Sequence, residues 1–191
     1  GSSVEIKRGY KMKALVKMEP GAGNWQIIDK PEPTINKDQV KIKVEYIGVC
    51  GSDIHTYEGH YNINAKDLII GHEFAGIAVQ VGENVKHVKI ADKLTSETTF
   101  EICGKCRYCL EKEYNLCPTR KGLGTQQDGA CANYIVARGA SVHVLPENLS
   151  CKEAAITEAA ACAHHGVCKA TIKKGDIVLV LGPGPIGFCL L

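Results

Sequence analysis

Cys103-Gly104-Lys105-Cys106-Arg107-Tyr108-Cys109, closed by Cys117 after seven intervening residues, puts four thiols inside one 15-residue stretch. Loops this short can fold all four sulfurs around a single ion. Zinc takes four ligands in a tetrahedron, and a site closed by four thiolates is structural, with no coordination position left for chemistry. Lys105, Arg107 and Lys112 in the same stretch are expected to help keep the thiols deprotonated. Iron–sulfur clusters also use cysteines at this short spacing, but the placing of the fourth cysteine favours zinc.

Upstream of this lobe the chain reads as β structure. Segments 13–18, 25–29 and 39–49 are short, rich in Val and Ile, and separated by Gly and Pro signals such as Glu19-Pro20-Gly21 and Pro31-Glu32-Pro33. In the third, Val40, Ile42, Val44 and Tyr46 alternate with polar residues, as one buried face of a strand requires. A further strand is expected over 74–81, and two more follow the lobe at 131–136 and 142–145. Many short strands without intervening helices suggest a small barrel or sandwich. After Pro146 the pattern changes. Ser150 and Glu153 form a capping box, and the Ala-rich stretch 151–170 favours helix. The unbroken apolar run Ile177-Val178-Leu179-Val180-Leu181 then reads as a strand buried on both faces of a parallel sheet.

Bulk composition excludes several functions. Hydrophobic residues are 45% and charged residues 23% of the 191, with a net charge of +2, so nothing draws the chain to nucleic acid. No apolar run approaches the roughly 18 residues of a membrane span. Gly1-Ser2-Ser3 lacks the apolar core of a signal peptide and reads as a cloning scar, with Met12 a plausible native start. Ten cysteines without a secretion signal point to thiolates in a reducing compartment, and so to a cytoplasmic protein.

A second constellation carries chemistry. Gly48-Val49-Cys50-Gly51-Ser52-Asp53-Ile54-His55 ends the third strand in a turn and offers a thiol, a hydroxyl and an imidazole. Gly71-His72-Glu73 enters the next strand, and Glu158 lies in the later helix. Cys, His and carboxylate suit a zinc ion kept open for water or substrate. Together with the four-cysteine lobe and a glycine-rich loop, in this order, these motifs resemble the medium-chain zinc-dependent alcohol dehydrogenases, in their sorbitol (polyol) and threonine dehydrogenase branch.

The resemblance implies that Cys50, His72 and Glu73 bind a catalytic zinc, with Glu158 as an alternating or water-bridged ligand. The alcohol dehydrogenase branch typically has cysteine where Glu158 stands. It further implies that Ser52 takes the substrate proton, that His55 passes it to solvent, and that Asp53 orients His72. Activity would then be zinc-dependent oxidation of a secondary alcohol (a polyol, sugar alcohol or threonine-like substrate) through a zinc-alkoxide and hydride transfer to NAD or NADP. His60, His87, His143, His164 and His165 are expected to be structural or surface residues. Two departures stand out: Ala91 where the family usually has glycine, and Ala159 where a proline commonly follows the glutamate.

Gly182-Pro183-Gly184-Pro185-Ile186-Gly187 directly follows the apolar run, which is the context a dinucleotide-binding loop requires. Gly182, Gly184, Pro185, Ile186 and Gly187 are its candidate cofactor contacts. The sequence stops four residues later, before the acidic residue about 20 positions on that would hold the ribose, so NAD and NADP stay undistinguished. The expectation is therefore an N-terminal fragment: residues 1–11 a tag or extension, 12–160 a mostly β, GroES-like, partly open barrel carrying the catalytic site and zinc lobe, and 161–191 the first strand and glycine loop of a truncated Rossmann domain. The parent protein is expected to be a homodimer or homotetramer. The alternative is a non-catalytic zinc-bound module lacking the cofactor domain; the zinc-free quinone reductase branch is disfavoured by the cysteine lobe.

Overall fold

The computed structural model describes residues 11–61, 65–182 and 184–191; Pro183 and all of the expected tag but Lys11, which opens the first strand, lie outside them. In chain order the strands are β1 (Lys11–Lys17), β2 (Trp25–Pro31), β3 (Gln39–Gly48), β4 (Leu68–Ile69), β5 (Glu73–Val81), β6 (Lys93–Ser96), β7 (Thr99–Glu101), β8 (Lys121–Gly122), β9 (Tyr134–Arg138) and β10 (Val142–Val144). The helices are α1 (Gly51–Glu58), α2 (Arg107–Leu110), α3 (Cys151–Ala154), α4 (Thr157–Lys169) and α5 (Pro185–Cys189).

An antiparallel sheet in the order β10-β6-β5-β3-β9 carries the main core, and a second sheet, β2-β1-β4, closes over it. Val40 and Ile42 on β3, Phe74 and Ala78 on β5, Leu94 on β6 and Ile135 and Ala137 on β9 are all buried in one cluster. Strand β1 alternates as a half-buried strand should, with Met12, Ala14 and Val16 inward. The two sheets are laced at 131–133: Leu15 N–H donates to the Cys131 carbonyl at 2.8 Å, Asn133 N–H to Lys13 at 3.1 Å, and Val44 N–H to Asn133 at 3.0 Å. That lacing makes a partly open barrel, the architecture the family resemblance implies, where strand spacing alone left a barrel or a sandwich open.

Several elements depart from the sequence expectation. On β3 the register slips between Lys41 and Ile42 and again between Val44 and Tyr46. Tyr46, expected inward, is exposed, as is Ile47, beyond the second slip, where Glu45 is the extra residue on β3 and breaks the alternation. The strand expected over 131–136 gives its first residues to the lacing and pairs with β3 only from Tyr134. The expected helix 151–170 is two helices broken at Ala155 and Ile156, although the Ser150–Glu153 capping box forms as expected. The turn after β3 is a two-turn helix, α1, whose mixed composition shows no apolar stripe. Most consequentially, residues 176–181 form neither strand nor helix and pair with no strand among the described residues, and Ile177, Leu179 and Leu181 stand exposed. A strand exists only through its ladder, and an apolar run cannot supply its own partner.

Ala91 sits at φ 74, the left-handed region. Its N–H donates to the Ala78 carbonyl and the Ala78 N–H to Asp92, both at 2.9 Å, so the turn that docks on β5 fixes this conformation. Left-handed alanine is strained by about 1–2 kcal/mol, while glycine loses about 0.5–1 kcal/mol more chain entropy on folding. Ala91→Gly should therefore stabilise the fold by about 0.5–1 kcal/mol. A higher urea midpoint at unchanged slope would register this; a lower midpoint would show that the strain is absorbed elsewhere.

Candidate functional site

The four-cysteine lobe is built by two short turns. Cys106 caps α2, and a single 3-10 turn, Tyr114–Leu116, delivers Cys117. All four sulfurs lie within 4.8 Å of one another. Cys106 and Cys109 sulfurs are 3.5 Å apart, Cys103 and Cys109 sulfurs 3.9 Å. A tetrahedron with zinc–sulfur bonds of about 2.3 Å has edges of about 3.8 Å, so the donor set fits zinc. Four thiols this close cannot all ionise without a cation among them. Cys117 is pushed down to about 6, chiefly by the Cys103 backbone N–H and the Thr119 hydroxyl, whereas burial and the Cys106 thiol push Cys109 up to about 12. The expected help from Lys105, Arg107 and Lys112 is replaced by backbone amides: the N–H groups of Lys105 and Cys106 hold Cys103 low, and Arg107 is paired with Glu111 at 3.0 Å.

The second constellation converges from separate elements. Cys50 is the N-cap of α1, and His72 and Glu73 enter β5; their ligand atoms lie within 4.8 Å of one another. The chain makes room for them. A side chain at Gly48 would overlap the Glu73 carboxylate, and Gly71, at φ 89, packs its backbone against Gly124 and Gly129. Asp53, buried one turn into α1, accepts from the Cys50 N–H at 3.1 Å and stands 3.9 Å from His72 Nδ1. Burial raises the carboxyls of both Asp53 and Glu73, opposed at Glu73 by the Cys50 thiol and His72. Buried anions that repel one another fit a cation between them.

Glu158, in the first turn of α4, is not within that 4.8 Å group, but lines a cavity of about 190 Å³ together with Ser52, His72, Thr98 and Arg120. It also borders a larger cleft walled by Glu97, Asn115, His143 and Cys162. The missing proline leaves a regular helix start, with Thr157 Oγ1 donating to the Ala154 carbonyl at 2.7 Å. His55 is exposed on α1, three residues after Ser52 and so on the same helix face. His164 and His165 are exposed, as expected, although His165 borders the cleft. Sequence reasoning missed Glu97: Tyr114 of the cysteine lobe donates to it at 2.9 Å, tying the lobe to the cleft wall. No motif marks it.

In the glycine loop, Gly182 takes φ 91, Gly184 caps α5, and Pro185 opens it. A side chain at Gly187 would overlap the Gly182 carbonyl, so that position is held to glycine by close approach. Ile186 is exposed.

Residues 36–147 match the family model of the alcohol dehydrogenase GroES-like domain. The chain is 57% identical over 176 residues to a sorbitol dehydrogenase of Halalkalibacterium halodurans, covering 92% of this chain and 51% of that protein. It is 50% identical to a D-arabitol-phosphate dehydrogenase of Enterococcus avium, covering 94% and 51% respectively. L-threonine 3-dehydrogenases match at lower identity. Among solved structures, one described as a zinc-binding dehydrogenase of Sinorhizobium meliloti bound to NADP superposes with TM-score 0.87 at 31% identity, over 95% of this chain and 52% of that one. The chain thus spans about half the length of the curated relatives it matches.

Proposed function

The chain belongs to the alcohol dehydrogenase GroES-like domain family, and from that premise we propose that it is part of a zinc-dependent NAD or NADP dehydrogenase acting on a secondary alcohol of a polyol or sugar alcohol. The observation that carries the reading is the convergence of Cys50, His72 and Glu73 beside a cavity that Ser52 and Glu158 also line. The names of the sorbitol and arabitol-phosphate dehydrogenases support the polyol class. We read residues 12–160 as the catalytic unit and 161–191 as the start of the cofactor domain.

A zinc held by Cys50, His72 and Glu73, with Glu158 in reach through water or a shift, would supply Lewis acidity to a substrate hydroxyl. Gly182, Gly184, Pro185, Ile186 and Gly187 would hold the pyrophosphate of a nicotinamide dinucleotide, which would supply the hydride acceptor. Ser52 Oγ receives the proton from the substrate hydroxyl, and His55, on the same face of α1 and open to water, passes it out. Asp53 holds the Cys50 end of the helix through the amide and stands against His72, limiting how both can turn. Cys103, Cys106, Cys109 and Cys117 form the structural zinc site.

The full-length protein is further read as a cytoplasmic homodimer or homotetramer. None of the ten cysteines is in a disulfide, and no described helix is long and apolar enough to cross a membrane. The test is metal analysis of the full-length protein together with a panel of polyols, sugar alcohols and threonine, monitored by reduced nicotinamide. Two zinc ions per chain and turnover of a polyol are expected. Iron in place of zinc would overturn the metal assignment, and a two-zinc protein inert on the whole panel would overturn the activity.

A further inference from the structure

A third group of metal-type donors lies on the outer surface of α1. His55, Glu58 and His60 bring their ligand atoms within 4.8 Å of one another. Glu58 Oε2 is 3.7 Å from His55 Nδ1 and 3.3 Å from His60 Nδ1. With zinc–nitrogen and zinc–oxygen bonds of about 2.0–2.2 Å, donor atoms on one tetrahedral ion stand about 3.4 Å apart. Both separations are close to that value before any ion is added.

The backbone holds this geometry in place. His55 and Glu58 share a face of α1 at a spacing of three residues. Gly59, at φ 82, then ends the helix, and the N–H groups of His60 and Tyr61 both return to the His55 carbonyl, at 2.9 and 3.0 Å. That return folds His60 back over the last helical turn. The turn is itself braced: a side chain at Gly59 would press on Ala22 at 2.9 Å, and the Gly23 N–H donates to the Tyr57 carbonyl at 2.6 Å. The donors also sit at the C-terminal, negative end of the α1 dipole, which favours a cation. All three side chains are exposed, leaving room for water to complete the coordination shell.

We propose that His55, Glu58 and His60 bind a divalent transition metal of the zinc class, and that filling this site removes His55 from proton transfer. An imidazole passes a proton by accepting at one nitrogen and releasing from the other. A metal on Nδ1 occupies one of these lone pairs and ends the exchange. Surplus zinc would then act as a brake on turnover, distinct from the two zinc ions the enzyme holds permanently. This second limb rests on the role assigned to His55 above; the metal site itself does not.

The experiment is calorimetric titration of zinc chloride into the full-length, two-zinc protein at pH 7.5, beside His60→Ala and Glu58→Gln. His60 is exposed and outside the proposed machinery, so neither folding nor basal turnover should change in His60→Ala. One additional zinc per chain is expected in the parent, bound at least about tenfold more weakly by each variant. No third zinc in the parent, or equal binding by His60→Ala, overturns the site. In the activity arm, turnover of the parent should fall in step with occupancy while His60→Ala resists. Full occupancy without inhibition overturns the link to His55 and leaves the site standing. Should the protein oxidise no alcohol at all, the titration still decides the site and only the proposed activity fails.

Discussion

Replacing Cys117 by serine is expected to cost the full-length protein one of the two zinc ions proposed for it and the order of residues 103–117, while both main sheets stay folded. The reason is that the lobe has no core of its own. Of its residues only Cys117 is buried, while Leu110 is 71% and Leu116 52% exposed. Its internal bonds amount to two short helical turns, too little to hold a loop against chain entropy of about 1–2 kcal/mol per residue. Structural zinc binds with an apparent free energy of about 10–16 kcal/mol in small zinc-dependent domains, and removal of the ion removes the fold it holds. Amide exchange within 103–117 should therefore accelerate by about a thousandfold or more, while β5 and β9 keep their protection. The effect should also reach the cleft, because Tyr114 would release Glu97. Cys168→Ser, on an exposed position outside both the lobe and the cleft, serves as the control for losing a thiol. If Cys117→Ser retains two zinc ions and the lobe stays protected, contacts rather than metal hold it.

How much of this was legible in the sequence follows from the range of each interaction. The lobe was legible because all its ligands sit within one local segment. The Ser150–Glu153 cap was legible for the same reason. Strands β1, β5 and β9 announced themselves by apolar residues that do find an inward face. Tyr46 did not, because a bulge is set by pairing with β5, a partner that no local pattern specifies. The short strands β4, β6, β7 and β8 were missed since two to four residues carry too little periodicity to register. The run 176–181 marks the opposite limit. Its composition states a preference for burial, and only neighbouring strands could satisfy it. At the candidate site, Cys50, His72 and Glu73 were found through motif order. Glu97 and the His55–Glu58–His60 group were not, since the first depends on a contact 17 residues away and the second on a left-handed turn at Gly59.

Ser52→Ala in the full-length enzyme is expected to lower turnover by about a hundredfold, the usual scale for removing a general acid–base group, with zinc content unchanged. The position is favourable for separating chemistry from folding. Cys50, not Ser52, caps α1, so no cap is lost. Inside the helix, the Ser52 carbonyl accepts from Thr56 Oγ1 at 2.7 Å, and alanine keeps that carbonyl. Alanine also has the higher helix propensity, so stability should stay within about 0.5 kcal/mol of the parent. What alanine removes is one hydroxyl on the cavity shared with His72 and Glu158. The loss should appear in kcat more than in KM, because the role proposed for the hydroxyl is on the proton leaving the substrate rather than on the bound alcohol as a whole. Threonine keeps a hydroxyl there, so Ser52→Thr should recover much of the rate, which a purely steric role would not predict. Turnover of Ser52→Ala within about twofold of the parent would reduce Ser52 to a helix-start residue, and the proton would then have to leave by another path.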